Sequence, residues 1–256
     1  MTVILAIERK IFHIKIKNYY FVKESLGPES KVHVKGFSHS FIPLRTSRCL
    51  ETIQIDLTRD ESELLMDMHK STRKEIRSAE QQELERVIIE KPTDQDLKRF
   101  QVFYNNFAKN RQTHTCNSFH ITTLKLLRDK NAIMLAYMCD KQQDILCYRI
   151  YITDGDVVMS LYSASHYRMI EEGDRKRIIS QANRLLLWKS MLWFKERGHQ
   201  IYDMGGITSD ENIRNFKLGF GGEIVPVYSG YEAHSFIGKL IVKIRSLKFA
   251  VMGEDS

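Results

Sequence analysis

What the chain lacks narrows it first. No stretch is apolar for long enough to span a bilayer. The longest apolar run, Ala132 to Cys139, falls far short of the ~18–20 residues that a crossing helix needs. The N-terminal MTVILAIERK is apolar, but it has no basic segment ahead of it and Glu8 ends it early. A secretion signal is therefore not expected, and a first β-strand is. Cysteine is scarce: Cys49, Cys116, Cys139 and Cys147 form no C-x-x-C pair. Reduced thiols in a cytoplasmic protein are the expectation. His114, Cys116 and His120 lie close together in HTCNSFH, but no second ligand cluster completes a metal site, so no metal is expected. The chain has no repeats, no low-complexity tracts and no obvious linker.

What is there suits one large domain or two small ones. The chain has 256 residues, 43% of them hydrophobic, enough for a real core. Its formal net charge is +7 and its sequence pI is about 9.1. That balance favours an anionic partner: a phosphorylated cofactor, RNA or a membrane surface. Residues 1–57 read mostly as strands, among them FHIKIKNYYFVKE, stopped by Gly27-Pro28, and ETIQIDL. Thr58 and Asp60 precede a helical pattern from Glu61 to about Glu85, with Leu65, Met68, Thr72, Ile76 and Ala79 on one stripe. VIIEK reads as a strand. Thr93 caps a helix through DQDLKRFQVFYNNFAKN, and another covers about Ser118 to Arg128.

Three β-rich runs follow: AIMLAYMC, DILCYRIYI and VVMSLYSAS, the last two joined through Asp154-Gly155, a hairpin signal. The basic segment HYRMIEEGDRKR reads as a loop ahead of a long helix, about Ile178 to Arg197, which Gly198 ends. QIYDM is a strand. Five of the thirteen glycines (Gly205, Gly206, Gly219, Gly221, Gly222) then frame one short helix, where positive φ and close backbone approach are needed. The expected fold class is α+β, or mixed α/β, with helices flanking a mostly antiparallel twisted sheet.

Three segments carry a family resemblance. IDLTRDESELLMDMHKSTRKEIRSAEQQ looks like the signature helix of the Fem-type peptidoglycan bridge-forming transferases. ANRLLLWKSMLWFKERGHQIYDMGG looks like their long helix and following strand, and NFKLGFGGEIVPVYSGY like their Phe-Lys and Gly-Phe-Gly ending. Together they cover about residues 50–232, and the element order resembles the GNAT N-acyltransferase superfamily. The resemblance implies a GNAT-like acyltransferase fold with a reduced N-terminal subdomain. It suggests consecutive parts: 1–85 β-rich with the signature helix, 86–233 the acyltransferase domain, 234–256 a basic amphipathic helix. EEGDRKRIIS stands where ordinary GNAT enzymes carry a Q/R-x-x-G-x-G/A phosphate loop. The acyl donor thus stays open between acyl-CoA and aminoacyl-tRNA, as a co-substrate and not a tightly bound cofactor.

Acyl transfer to an amine needs the amine deprotonated and the developing oxyanion stabilised. Lys217, closing the short helix, is the first catalytic candidate, with Phe216 packing the substrate; the pair matches the Fem-type Phe-Lys. Asp203, at a strand end before two glycines, is the second, as a group that orients or deprotonates the amine. Arg168, Arg175 and Arg177, ahead of the long helix, are candidates for donor phosphates, with Asn183 and Tyr162 as polar contacts. Lys70, Arg73 and Arg77, with Lys74, run i, i+3, i+4, i+7 on the signature helix and could grip an acceptor's phosphates or tRNA. The acceptor would be anionic and amine-bearing, nucleotide- or lipid-linked. SFIGKLIVKIRSLKFAV has the spacing of a basic amphipathic helix, with Ile241 and Leu247 on its apolar side and Arg245 and Lys248 among its cations. It suggests peripheral contact with the inner face of the membrane through residues 235–250. The competing reading is a non-catalytic module that binds RNA or a membrane surface.

Overall fold

The computed structural model describes residues 4–27, 32–44 and 46–251, with backbone alone for 245–251. The fold is mixed α/β, with strands mostly antiparallel, as the sequence pattern anticipates. Among the described residues, no helix is long and apolar enough to cross a membrane.

Two compact units are built from interleaved segments rather than from three consecutive ones. The first takes residues 1–53, 206–214 and 224–256, and the second takes 54–205 and 215–223. The division at 85 and 233 expected from the linear sequence therefore does not describe how the chain partitions. Strand pairing between residues far apart in sequence overrides chain order.

In the first unit the strand order is β1 (Ala6–Ile11), β2 (Ile14–Tyr20), β3 (Val34–Ser40), β10 (Glu223–Ala233) and the start of β4 (Ser47–Asp56). β1 and β2 form an antiparallel hairpin in which Ile11 faces Ile14, so Phe12 and His13 make the turn. Phe12 takes φ 53° there, a cost that Asn or Gly would spare. β2 and β3 run parallel, and β10 returns antiparallel to β3. Tyr19, Val22 and Phe37 form one buried cluster of its core, with the Tyr19 and Phe37 rings stacked at 5.5 Å. The last element among the described residues is α7 (Phe236–Val251).

The second unit is a three-layer sandwich. From the end of β4 its strand order is β9 (Ile201–Gly206), β8 (Val157–Ser165), β7 (Ile145–Thr153), β6 (Ile133–Cys139) and β5 (Glu85–Ile89). β7 is buried along nearly its whole length, so helices cover both its faces and its run reads apolar rather than alternating. Tyr148 packs on Phe100 and Phe103 of α3 (Asp94–Arg111). Tyr151 packs on Phe194 of α5 (Gly173–Glu196), on the opposite face. α4 (Ser118–Arg128) starts at Asn117, whose side chain accepts from Phe119 and His120 N–H. Cys116 is buried, which pushes its thiol up to about 11, and no group of three metal-ligating side chains occurs among the described residues.

Two expectations about helices change. The stretch expected as one helix from Glu61 is two, α1 (Glu61–Asp67) and α2 (Lys70–Glu80). Met68 and His69 break it with extended ψ values of 147° and 143°. Arg73 explains why the break is stable. Its guanidinium donates to the carbonyls of Leu65, Met66 and Met68, which satisfies the orphan acceptors of α1. The long helix also starts earlier, at Gly173, so the basic GDRKR segment is its first turn and not a loop.

α6 (Glu211–Leu218) is capped by the Asp210 side chain, which accepts from Asn212 and Ile213 N–H. Gly222 follows it at φ +87°, where a Cβ would sit 2.5 Å from the Gln54 carbonyl oxygen on β4. The position demands glycine twice, for its dihedral and for its contact. Gly222→Ala is therefore expected to lower unfolding free energy by about 1–3 kcal/mol, read from urea denaturation.

Candidate active site

β8 and β9 lie parallel for only three residue pairs, Val157–Ile201 to Met159–Asp203. β8 then runs on to Ser165 and β9 to Gly206 with no further ladder pair. Where two strands part in this way, their facing backbone groups no longer bond each other, and side chains or ligands can meet them. The candidate site is built at this point.

Asp203 is the last residue of β9 paired with β8 and has no exposed surface. Its carboxylate accepts from Gly205 N–H at 2.7 Å and from the Gln54 amide at 3.1 Å. Gly205, at φ +74°, turns the strand sharply, and its close neighbour is the Ser160 carbonyl. The ammonium of Lys217 reaches this turn from α6 and donates to the Gly205 carbonyl at 2.8 Å. Burial pushes the Lys217 pKa down, Asp203 opposes the shift, and Arg149 adds to it, leaving it at about 8.

Arg149 is the only charged side chain of β7 and is only 3% exposed. It donates to Ser160 Oγ at 3.1 Å and to Asn183 Oδ1 at 2.9 Å. Its guanidinium lies 5.7 Å from the centre of the Phe216 ring. Arg184 of α5 lies 5.1 Å from that same ring and pairs with Glu75 of α2 at 3.1 Å. Phe216 is thus held by two guanidiniums, each contact worth about 0.5–2 kcal/mol, and Phe216 carries Lys217 next to it in the chain. Lys217 feels one buried carboxylate, Asp203, and one further cation, Arg149, so these three groups carry excess positive charge when Lys217 is protonated. Such a site suits charge that appears on an oxygen during a reaction.

The sequence-based candidates divide clearly. Lys217, Asp203, Phe216 and Asn183 come together here. Tyr162 lies on the other face of the sheet, packed on Phe100 and Tyr104 of α3. A bulge is the cause: Ile150 pairs with Tyr162 but Tyr151 pairs with Ser160, so Ser160 and Tyr162 point to opposite faces. Arg73 is committed to the carbonyls of α1, while Lys70 and Arg77 are exposed on α2. Arg175 pairs with Asp140 at 3.0 Å and Asp144 at 3.1 Å, and Arg177 pairs with Asp174 at 3.4 Å. Arg168 is exposed on the 3₁₀ turn His166–Met169.

Sequence reasoning missed Arg149, Arg184, Glu75, Gln54 and Ser160. Arg149 left a signal: it is the lone charge in an otherwise apolar strand run, ILCYRIYI, and a charge in such a run needs a reason. Glu75 and Arg184 look like ordinary helix-surface charges in sequence, and only the packing of α2 on α5 brings them together.

This is the GNAT-like acyltransferase fold that the three segments anticipate. Among solved structures, the chain matches FemX with a TM-score of 0.61 at 11% identity, over 87% of this chain and 82% of that one. It also matches the C-terminal domain, DUF2156, of a protein assigned as a lysylphosphatidylglycerol synthetase from Agrobacterium fabrum. There the TM-score is 0.56 at 12% identity, over 95% and 85% of the two chains. L-PGS from Bacillus licheniformis gives 0.51 at 12% identity, over 93% and 84%. At these identities what is shared is the fold. No protein-family model and no curated protein matches the sequence.

The depressed Lys217 pKa has a consequence for stability. The unfolded chain keeps the ordinary lysine value of 10.5, whereas the folded value is about 8. Between these values the unfolded state binds more protons, so this residue makes stability rise with pH across that window. Below it, the cost of burying the ammonium is present in full. Lys217→Met is expected to flatten the rise, measured as urea midpoints at several pH values from 8 to 10.5.

Proposed function

We propose that the chain is an N-acyltransferase that moves an acetyl or aminoacyl group onto an amine of a cell-envelope precursor or amino sugar. One observation carries the reading: the half-buried Lys217 ammonium, already bonded to a carbonyl oxygen, stands where the β8–β9 ladder ends. The solved structures sharing this fold support it, since one is FemX and another is assigned as a lysylphosphatidylglycerol synthetase.

In this reading the acyl carbonyl lies at the ladder's end with its oxygen toward Lys217. The acceptor nitrogen bonds to the carbonyl carbon, and negative charge gathers on the oxygen. The bond from that carbon to the donor's sulfur or oxygen then breaks, and the leaving atom takes up the proton that the amine loses. Lys217 acts as the ammonium that meets the oxyanion. Asp203, fully buried, holds that charge in place by favouring the protonated lysine and by fixing the Gly205 turn. Phe216, clamped by Arg149 and Arg184, sets the angle at which Lys217 approaches.

Between donors, an aminoacyl ester on tRNA is favoured over acyl-CoA. The first turn of α5 is where a pyrophosphate would bind in the GNAT arrangement. Here Arg175 and Arg177 are paired with carboxylates of Asp140, Asp144 and Asp174, which repel a phosphate and occupy its cations. The protein would work at the inner face of the cell membrane, on an anionic, nucleotide- or lipid-linked acceptor.

The reading is tested in two assays. In a thermal-shift titration, a donor at ~100 times its Kd stabilises the fold by about 2.7 kcal/mol. A stable aminoacyl-tRNA analogue is expected to do so, and acetyl-CoA is not. In turnover assays, Lys217→Met is expected to cut kcat by about 10²–10³-fold, as for other lost oxyanion donors. Wild-type activity should fall as pH rises past about 8, where Lys217 loses its proton. Asp203→Asn should move that fall to lower pH, because Asp203 raises the Lys217 pKa. A rate that climbs through the same range would instead make Lys217 a base. Absence of turnover with either donor would favour the non-catalytic reading.

A further inference from the structure

The first unit projects apolar side chains at one end of its strands. The β1–β2 hairpin ends in Phe12, 89% exposed, beside Ile11 at 43%. α7 begins with Phe236 at 85% exposure, followed by Ile237, Leu240 and Ile244, each about half exposed. Phe236, Leu240 and Ile244 repeat every four residues, so they form one stripe along the helix.

Strand register places both projections together. Lys15 of β2 exchanges hydrogen bonds with His33, which precedes β3. His234, at the end of β10, donates to the His33 carbonyl. Two residues later α7 starts, and it presses on the same spot: a Cβ on Gly238 would lie 2.2 Å from the His33 oxygen. The hairpin turn is three residues beyond Lys15, and neighbouring strands are ~4.8 Å apart, so Phe12 and the start of α7 share one end of the sheet within roughly 10–15 Å. Lysines line this end: Lys10 on the hairpin and Lys239 and Lys243 on α7 are all exposed. Among the described residues, Glu8 pairs with Lys15 at 3.4 Å and Glu232 with His234 at 3.7 Å.

We propose that this end of the first unit docks on an anionic lipid bilayer, with Phe12 and the Phe236–Leu240–Ile244 stripe entering the interface and Lys10, Lys239 and Lys243 meeting lipid headgroups. Water pays no favourable part in holding such large apolar groups exposed, and a patch of this kind marks an interaction surface. The lysines beside it select a negatively charged surface over a neutral one. Shallow burial of an apolar helix face with cations at its border is how interfacial helices bind. The inference does not rest on acyl transfer and would hold for a non-catalytic protein. The side chains of Arg245, Leu247 and Lys248 lie outside the described residues, and nothing here depends on them.

The test is flotation of the full chain with vesicles of phosphatidylcholine mixed with phosphatidylglycerol, beside pure phosphatidylcholine. The wild type is expected to float with the anionic vesicles, to remain in solution with the neutral ones, and to be released at about 1 M salt, where screening shortens to ~3 Å. Phe12→Ser combined with Phe236→Ser should reduce binding at least tenfold with an unchanged melting curve, and Lys239→Glu with Lys243→Glu should do the same. Phe12→Trp gives an independent reading: its fluorescence should shift to the blue when anionic vesicles are added. No flotation of the wild type, equal binding to both vesicles, or an unshifted Phe12→Trp spectrum would overturn the proposal. So would self-association in size-exclusion runs without lipid that the Phe12→Ser, Phe236→Ser variant abolishes, since the face would then bind a second copy.

Discussion

The clamp of Arg149 and Arg184 on Phe216 is the interaction on which the candidate site depends. Arg149 is a buried cation whose side-chain partners at the site are neutral oxygens of Ser160 and Asn183. A charge in that setting is expensive unless its hydrogen bonds and the surrounding field compensate for it. Here the compensation comes from three elements at once: β8 through Ser160, α5 through Asn183, and α6 through the face of Phe216. Any shift of α6 would loosen two guanidinium–ring contacts together and would carry Lys217 away from the Gly205 turn.

The same logic gives the signature helix a role. Its charged face resembles a phosphate grip in sequence, but α2 contributes more visibly through Glu75, which pairs with Arg184, and through Glu80, which pairs with Lys189 at 2.6 Å. α2 and α5 are thereby locked along their lengths, and Gln82 adds a bond to Gln181 at 2.6 Å. Arg73 serves the break between α1 and α2. Thus the helix orders the groups that order the site. The electrostatic result is a lysine with a pKa near 8, held by one carboxylate and pushed by one guanidinium. Burial, the largest influence on it, is created by packing at the end of a strand ladder and not by any one neighbour.

Much of the second unit was legible in sequence because its signals are local. Three β-rich runs with a turn between the last two gave β6, β7 and β8. Thr93 and Asn117 stand at helix starts where their side chains can accept backbone N–H groups. Glycines around α6 marked turns that only glycine fits. Legibility failed where a local pattern was outweighed by a distant partner. The helical stripe from Glu61 continues through Met68 and His69, yet the chain breaks there because Arg73 and the Gly219 carbonyl offer better partners. Tyr162 and Ser160 have the same parity, yet a single bulge sends them to opposite faces. Arg175 reads as an open cation, yet Asp140 and Asp144 reach it from the turn between β6 and β7.

By itself, the sequence determined most of the element types, the mixed α/β class, the resemblance to acyltransferases, and the Phe216-Lys217 and Asp203 candidates. Each of these follows from periodicity, turn chemistry or a short motif, which act over a few residues. The tertiary structure alone decided that segments far apart in sequence share one compact unit and that Arg149, Arg184 and Glu75 belong with Phe216. It also decided that Arg175 and Arg177 are paired with carboxylates and that Phe12 projects at the same end as α7. These outcomes turn on strand register and on helix packing across tens of residues, and a one-residue change of register would move every side chain to the other face.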